Sequence, residues 1–234
     1  MPRLLVFDLD GTLIDSSVDL CNSVNAALEH VQKPSLPNAL IAGYIGDGAA
    51  MLVRRALGDP GDLDGLRPSD GGDFFRRTFE FFLGYYREHK LDNTCCYDGV
   101  IEALTQIRSR HPSLPMAVLT NKPVNPSREI CNALGIAPFF FQNYGGNSFE
   151  TKKPDPTGLL TLMDEANSLL SEPRALLAGE VVMIGDTDVD VLTARRCGVR
   201  SLGCTFGLAP VALAASEPDA TVDHPLEWPA ALGL

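Results

Sequence analysis

The chain has 234 residues, a length that suits one large domain or a domain with a smaller insert, and its 45% hydrophobic content is typical of a globular protein. Its 30 acidic and 19 basic residues give a formal net charge of −11. This balance argues against a nonspecific nucleic-acid or anionic-membrane surface. We therefore expect no nucleic-acid or membrane partner, and an anionic substrate must be bound by local positive groups.

From the sequence we expect neither a signal peptide nor a membrane-spanning segment. No charged and then apolar leader opens the chain, and no apolar run is long enough to span a bilayer. The six cysteines lack paired CxxC spacing, which indicates free thiols rather than a disulfide framework. We therefore expect a cytoplasmic protein.

An apolar strand at residues 4–7 leads directly into the sequence DLDGT. Because side chains on a strand repeat with period two, Asp8 and Asp10 leave its end on the same side. Gly11 permits a sharp turn and a close approach of the backbone to a bound group, and Thr12 adds a hydroxyl. The alternative is that these residues merely end the strand, since Asp and Gly are common in turns.

Helical patterns then occupy the chain as far as residue 92. The predicted helices lie at about 16–32, 37–45, 48–57 and 73–89, and a Gly-, Pro- and Asp-rich segment at 58–72 precedes the last of them. The wide aromatic face of that last helix is expected to pack inside the same domain. We predict that residues 16–92 form an all-helical cap domain, inserted into a core domain made of residues 1–15 and 93–234.

From residue 97 onward, strand and helix patterns alternate. The predicted helices lie at 97–110, 126–134, 156–170 and 188–197, and the predicted strands at 116–119, 139–141, 181–184 and 201–204. Together with the first strand, these give five strands separated by helices. The predicted fold class is therefore α/β, with a doubly wound, Rossmann-like parallel sheet as the core.

Ligands of an open parallel sheet bind beyond the carboxyl ends of the strands, so the residues after each strand are candidates for a site. Thr120 and Asn121 follow one predicted strand, where a hydroxyl and backbone amides suit a phosphate oxygen. An ordinary strand-to-helix turn is the alternative. Lys153 precedes a proline that opens a helix, and we expect it to be a buried cation. We expect its neighbour Lys152 to face solvent.

The strand at residues 181–184 runs into the sequence GDTDVD. Asp186 and Asp190 are four residues apart, which places their side chains together if the helix has begun, and a few oxygen ligands suit Mg²⁺. Asp188 is expected to cap the helix or to interact with its dipole. Simple N-terminal capping is the alternative for the whole cluster.

These signals form an ordered set of four motifs. They are DLDGT at residues 8–12, TN at 120–121, KPDP at 153–156 and GDTDVD at 185–190. By these motifs the sequence resembles the haloacid dehalogenase superfamily of phosphatases over nearly the whole chain. The helical insert resembles the cap that this family carries after its first strand.

The resemblance implies a mechanism. Asp8 would be the nucleophile that forms an aspartyl phosphate, and Asp10 would act as general acid and then as general base. A Mg²⁺ cofactor would be bound by the Asp8 carboxylate, the Asp10 carbonyl and Asp186, with Asp190 supporting these ligands from behind. An aspartate at the position of Asp10 favours a phosphomonoester over a carbon–halogen bond.

The resemblance also implies which residues bind the phosphoryl group. Thr120, the Asn121 amide and Lys153 would hold its oxygens, and Thr120 and Lys153 would share in catalysis. Gly11 and Thr12 are the other predicted contacts at this end of the substrate.

The choice of substrate is expected to depend on the cap. Gly46, Asp47, Gly48 and Arg54 are the candidate contacts there, with adjacent arginines facing solvent as the alternative. This stretch of the cap resembles the phosphoglycolate phosphatase branch of the family, as do three segments of the core: TNKP at residues 120–123, Gly145-Gly146, and TFG at residues 205–207. The resemblance implies hydrolysis of 2-phosphoglycolate to glycolate and phosphate.

Other functions remain as alternatives. Within the same fold, they are a phosphatase for another small metabolite or for pyrophosphate, and a sugar-phosphate mutase. A noncatalytic module that binds a phosphorylated ligand is a more distant one. In each case the expected partner is a small anionic phosphorylated metabolite, and the protein is expected to be a monomer or a homodimer.

Overall fold

The computed structural model describes residues 1–58, 73–170 and 174–234. Apart from Gly58, the Gly-, Pro- and Asp-rich segment at 58–72 lies outside the described residues. The chain divides into two compact units, which we call the core unit (1–15 and 96–234) and the helical unit (16–95). The helical unit thus ends at residue 95, whereas the cap domain predicted from the sequence ends at residue 92.

The core unit is built on a six-stranded parallel sheet. The described strands, in chain order, are β1 (Leu4–Phe7), β2 (Ile14–Asp15), β3 (Cys95–Cys96), β4 (Met116–Leu119), β5 (Gln142–Tyr144), β6 (Val181–Gly185), β7 (Arg200–Cys204) and β8 (Ala220–Val222). The sheet has the order β5-β4-β1-β6-β7-β8, and each neighbouring pair is parallel. The short strands β2 and β3 lie where the chain passes from one unit to the other.

The helices of the helical unit precede those of the core unit along the chain. They are α1 (Ser17–His30), α2 (Asn38–Ala42), α3 (Ala49–Ala56) and α4 (Asp73–His89), followed by α5 (Val100–Arg110), α6 (Val124–Ala133), α7 (Thr157–Leu169), α8 (Asp188–Cys197), α9 (Pro210–Ala215) and α10 (Trp228–Leu232). None of the helices described is both long and apolar enough to cross a bilayer.

The central strands are buried on both faces. All residues of β1, β4 and β6 are buried. Leu5 and Phe7 of β1 enter one hydrophobic cluster, whereas Leu4 and Val6 enter another on the opposite face, as the period-two alternation of a strand requires. Burial on both faces is typical of a parallel sheet covered by helices, so the predicted α/β fold is confirmed.

The strand predicted at residues 139–141 is wrong. Ala137–Phe139 form a 3₁₀ turn that contains a proline near its start, and the strand follows at Gln142–Tyr144. Phe139 and Phe140 pack against the core cluster instead. Aromatic residues are common in strands, but here they anchor a turn, and the edge strand that follows is polar and half-buried.

Several short elements also differ from the sequence pattern. The structure adds β8, α9 and α10, which are too short to show a clear period. The helix predicted at 37–45 is reduced to Asn38–Ala42. The helix predicted from residue 97 begins at Val100, because Gly99 takes a left-handed conformation with φ of 84° and separates the helix from the preceding turn.

The helical unit has a hydrophobic core of its own. Val24 and Leu28 of α1 lie in one cluster with Phe82 and Tyr86 of α4, and α2 and α3 also contribute apolar side chains to it. Phe82 is fully buried. The predicted packing of the aromatic helix inside this unit is thus confirmed for Phe82 and Tyr86.

One buried carboxylate joins the two ends of the helical unit. Asp19, in the first turn of α1, accepts hydrogen bonds from the backbone N–H of Asn93 at 3.0 Å and of Thr94 at 2.8 Å. It also accepts from Asn93 Nδ2 at 2.8 Å and from Thr94 Oγ1 at 2.7 Å. Burial raises the pKa of Asp19, but these hydrogen bonds outweigh it and hold the pKa below its ordinary value.

Asp19→Asn is expected to lower the free energy of unfolding by about 2 kcal/mol at neutral pH, because an amide nitrogen then faces donors that need an acceptor. Since the folded-state pKa of Asp19 is lowered, its stabilisation is present above the ordinary pKa of aspartate and is lost as pH falls through the folded-state pKa. Urea unfolding followed by far-UV circular dichroism, at neutral and acidic pH, measures both effects.

Glu29→Gln is the matched control, because Glu29 lies on the same helix and is exposed. It should change the unfolding free energy by less than about 0.5 kcal/mol. Equal stability of the two variants at neutral pH would contradict the role given to Asp19.

Candidate active site

The strand ends bring the sequence motifs together in the core unit. Asp8 follows β1, Thr120 follows β4 and Asp186 follows β6, and β1 lies between β4 and β6 in the sheet. The Asp8 N–H still donates to the Ile184 carbonyl at 2.8 Å, so the main-chain pairing continues up to the first catalytic candidate. All three polar side chains are buried, and buried carboxylates such as those of Asp8 and Asp186 are rare unless they are paired.

Lys153 lies between two of the carboxylates. Its Nζ is 2.9 Å from Asp8 Oδ1 and 2.6 Å from Asp190 Oδ1. Burial lowers the pKa of Lys153, but the charges of Asp190 and Asp8 outweigh this effect and raise the pKa above its ordinary value. The structure therefore places an ammonium group beside Asp8, whereas Lys152 is exposed.

The carboxylates in this cluster are electrostatically strained. Burial raises the pKa of Asp8 to about 6; the Lys153 charge opposes this shift and the Asp190 charge adds to it. Burial also raises the pKa of Asp186 well above its ordinary value, and the charges of Asp190 and Asp8 raise it further. A cation bound among these carboxylates would relieve both the desolvation and the repulsion.

Asp8, Asp186 and Asp190 could hold a metal ion. Each offers a carboxylate oxygen, and these oxygens lie within 4.8 Å of one another. An all-oxygen donor set suits a hard divalent cation such as Mg²⁺. Asp190 is already engaged, since one oxygen accepts from Lys153 and the other from Thr187 N at 3.1 Å and Thr187 Oγ1 at 2.8 Å.

Asp186 is held in place by close backbone contacts. Thr12 Oγ1 donates to Asp186 Oδ1 at 3.0 Å, and the Leu208 N–H donates to Oδ2 at 2.8 Å. A Cβ atom on Gly11 would lie 2.1 Å from Asp186 Oδ2, and one on Gly207 would lie 2.2 Å from Asp186 Cβ. Both positions therefore need glycine, and the Thr12 hydroxyl expected near phosphate is directed at Asp186.

The turn after β4 is held by hydrogen bonds and by a close contact with Gly146. Asn121 Nδ2 donates to the Lys153 carbonyl at 3.1 Å, which links this turn to the lysine. The Lys122 N–H donates to Thr120 Oγ1 at 3.2 Å, and the Gly146 N–H donates to the Lys122 carbonyl at 2.8 Å. A Cβ on Gly146 would lie 2.4 Å from the Asn121 carbonyl oxygen, so the two segments touch through bare backbone.

Lys122 is a site residue to which the sequence reasoning assigned no role. Its Nζ lies 2.8 Å from Asp10 Oδ1 and 3.1 Å from Asp10 Oδ2. Only 6% of Lys122 is exposed. The signal that could have identified it is its position at a strand end, directly after Thr120 and Asn121.

Most of the predicted site residues are therefore collected in the core unit. They are Asp8, Asp10, Gly11, Thr12, Thr120, Asn121, Lys153, Asp186 and Asp190. Gly207, Leu208 and Lys122 join them. The roles assigned to these residues from the sequence stay predictions.

The remaining predicted contacts belong to the helical unit. Gly46 and Gly48 have φ values of 126° and 86° in the turn before α3, conformations that favour glycine. Between them, Asp47 forms an ion pair with Arg55. The Arg54 guanidinium carbon lies 4.4 Å from the centroid of the Phe75 ring. Contacts of these residues with a substrate stay predictions.

Comparison with known proteins identifies relatives over most of the chain. The family model for haloacid dehalogenase-like hydrolases matches residues 5–204. The phosphoglycolate phosphatase of Chromobacterium violaceum is 34% identical over 207 residues, which cover 88% of this chain and 86% of that protein. The phosphoglycolate phosphatase of Neisseria meningitidis is 35% identical over 219 residues, which cover 94% and 86% respectively.

A solved structure agrees with these sequence relatives. The crystal structure of a predicted phosphoglycolate phosphatase from Haemophilus somnus matches with a TM-score of 0.86 and 29% identity, over 99% of this chain and 98% of that one. The family match spans all four motifs at the strand ends. The resemblance inferred from those motifs is confirmed: the chain belongs to the haloacid dehalogenase-like hydrolase family.

Proposed function

We propose that the protein is a Mg²⁺-dependent phosphatase that hydrolyses a small phosphomonoester, 2-phosphoglycolate first, through a phosphorylated Asp8. The observation that carries the proposal is the buried contact between Asp8 and Lys153, beside the oxygens of Asp186 and Asp190. Phosphoryl transfer depends mainly on positioning and on compensation of negative charge, and this cluster is suited to both.

The steps follow from the two aspartates of the first motif. An Asp8 oxygen attacks phosphorus, the bond from phosphorus to the leaving oxygen breaks, and Asp10 gives that oxygen a proton. Asp10, now a carboxylate, takes a proton from water as the water oxygen attacks the same phosphorus. The bond between Asp8 and phosphorus then breaks, which releases phosphate and restores both side chains.

The phosphoryl oxygens would be held by Lys153, Thr120 and the Asn121 amide, with Gly11 and Thr12 nearby. Lys153 is already oriented by Asp190, so it needs little rearrangement when the substrate binds. Mg²⁺ bound by the carboxylates of Asp8 and Asp186 and by the Asp10 carbonyl, with Asp190 behind them, would supply positive charge to the phosphoryl group.

The choice of 2-phosphoglycolate is supported by the relatives that carry the name phosphoglycolate phosphatase. We further propose that residues 16–92 act as a cap, in which Gly46, Asp47, Gly48 and Arg54 recognise the rest of the substrate and exclude water. The six cysteines are free thiols, which fits the cytoplasmic location that the proposal assumes.

A panel of small phosphorylated metabolites assayed with Mg²⁺ tests the substrate assignment. The value of kcat/KM should be highest for 2-phosphoglycolate, since specificity is a ratio of catalytic efficiencies. A higher kcat/KM for a sugar phosphate or for pyrophosphate would show that 2-phosphoglycolate is not the preferred substrate, but it would leave the phosphatase activity as proposed. Transfer of phosphate from Asp8 mainly to a sugar, rather than to water, would indicate a mutase.

Asp8→Asn is expected to lower kcat by at least about 1,000-fold and to abolish the phosphorylated enzyme, because the amide is not a nucleophile. Phosphate release and acid-quenched labelling measure the two effects. The matched control is Asp188→Asn, a half-buried position at the start of α8, which should remain active. If the Asp8→Asn variant keeps its fold, its metal affinity and most of its activity, the assignment of Asp8 as the nucleophile is refuted.

Asp186→Asn tests the metal site without an activity assay. Because burial and neighbouring charges raise the pKa of Asp186, a neutral amide should stabilise the metal-free protein by about 1–2 kcal/mol. That corresponds to a rise in Tm of about 2–8 °C for a chain of this size.

Thermal unfolding with a chelator and with Mg²⁺ measures this effect. Mg²⁺ should raise the Tm of the wild type and of Asp188→Asn but not that of Asp186→Asn. A rise of wild-type size in the Asp186→Asn variant would show that Asp186 does not bind the metal.

A further inference from the structure

The Lys122 ammonium is directed at the Asp10 carboxylate. It is within hydrogen-bond distance of both Asp10 oxygens, at 2.8 and 3.1 Å. The side chain of Lys122 is 4% exposed and that of Asp10 is 12% exposed. An ion pair so well shielded from water is stronger than a surface pair, and it fixes the orientation of both groups.

The backbone that carries Lys122 is also held tightly. Its N–H donates to Thr120 Oγ1 and its carbonyl accepts from the Gly146 N–H. A Cβ atom on Gly145 would lie 2.5 Å from the Lys122 carbonyl oxygen, so this segment packs directly on the turn. The lysine side chain therefore extends from a fixed backbone position, and its buried ammonium lies against Asp10.

Among the described residues, Lys153 and Lys122 are the buried lysines of the site, and the ion pairs observed for them are with different aspartates. Lys153 pairs with Asp8 and Asp190, on the side of the proposed nucleophile and metal. Lys122 pairs with Asp10, the proposed acid and base. The positive charges are thus divided between the group that attacks phosphorus and the group that transfers the proton.

We propose that Lys122 is the positioning residue for proton transfer by Asp10, an inference that rests on the proposed phosphatase function. When Asp10 gives its proton to the leaving oxygen, the O–H bond on Asp10 breaks and a carboxylate forms. The Lys122 ammonium compensates that new negative charge as it develops. The same contact then holds the carboxylate in place to accept a proton from water.

This role is distinguished by its dependence on the leaving group. An alkoxide needs a proton as it leaves, so stabilisation of the Asp10 carboxylate lowers the barrier for an alkyl phosphomonoester. A 4-nitrophenolate leaves without a proton and gains little. A lysine that merely binds the phosphate or supports the fold would affect both substrates equally.

The test compares kcat/KM of Lys122→Met on 2-phosphoglycolate, or on the best alkyl ester of the panel, with that on 4-nitrophenyl phosphate. The value of kcat/KM for each ester reports the steps up to formation of the phosphorylated Asp8 and excludes its later hydrolysis. We expect a loss of about 100-fold on the alkyl ester and of less than about 5-fold on the aryl ester. When Lys122→Met is added to the Asp10→Asn variant, the further loss of kcat/KM on the alkyl ester should also be less than about 5-fold.

Lys90→Met is the matched control, because Lys90 is a buried lysine that donates to a backbone carbonyl in the helical unit. Its losses on the two esters should be equal. If Lys122→Met does not fold, Lys122→Gln removes the charge and provides the same comparison.

Equal losses on both esters for the Lys122 variant, or additive losses with Asp10→Asn, would overturn the positioning role while leaving the phosphatase function intact. A wild-type protein that hydrolyses neither ester with Mg²⁺ would refute the proposed function, and the inference with it. The two failures are therefore distinguishable.

Discussion

The burial of several carboxylates at the ends of neighbouring parallel strands is the constraint on which the rest of the core unit depends. Burial and mutual repulsion raise the pKa values of Asp8 and Asp186, so the cluster is unfavourable unless nearby groups compensate it. Lys153 and Lys122 compensate part of the charge from two sides. A divalent cation would compensate the remainder, which links stability of the folded core to its proposed cofactor.

The second requirement is that backbone must approach these side chains closely. Gly11 and Gly207 both lie against Asp186, where any side chain would overlap it, and Gly146 lies against the turn after β4. The close approach lets the Leu208 N–H, in the loop after β7, donate a hydrogen bond to the Asp186 carboxylate. The arrangement therefore draws on segments far apart in the chain, each of which needs glycine for a steric reason.

Much of the fold and part of the site could be predicted from local patterns. Strongly apolar strands such as β1 and β6 were located because they are buried on both faces, and the motifs at their ends identified Asp8 and Asp186. The predicted strand at residues 139–141 is wrong because aromatic residues occur in both strands and packed turns, and tertiary packing decides between them. The polar edge strand β5 carries no apolar period, so no local pattern marks it.

The sequence by itself determined the type of sheet, the order of the motifs and the residues at the strand ends, because those follow from periodicity and from the geometry of parallel strands. Only the tertiary structure decided which charges pair. Lys122 could have faced solvent, and Asp190 could have been only a helix cap; their contacts with Asp10 and Lys153 span 112 and 37 residues of chain. Such pairings depend on how the strands are ordered and how closely the backbone segments approach, which residue spacing along the chain does not specify.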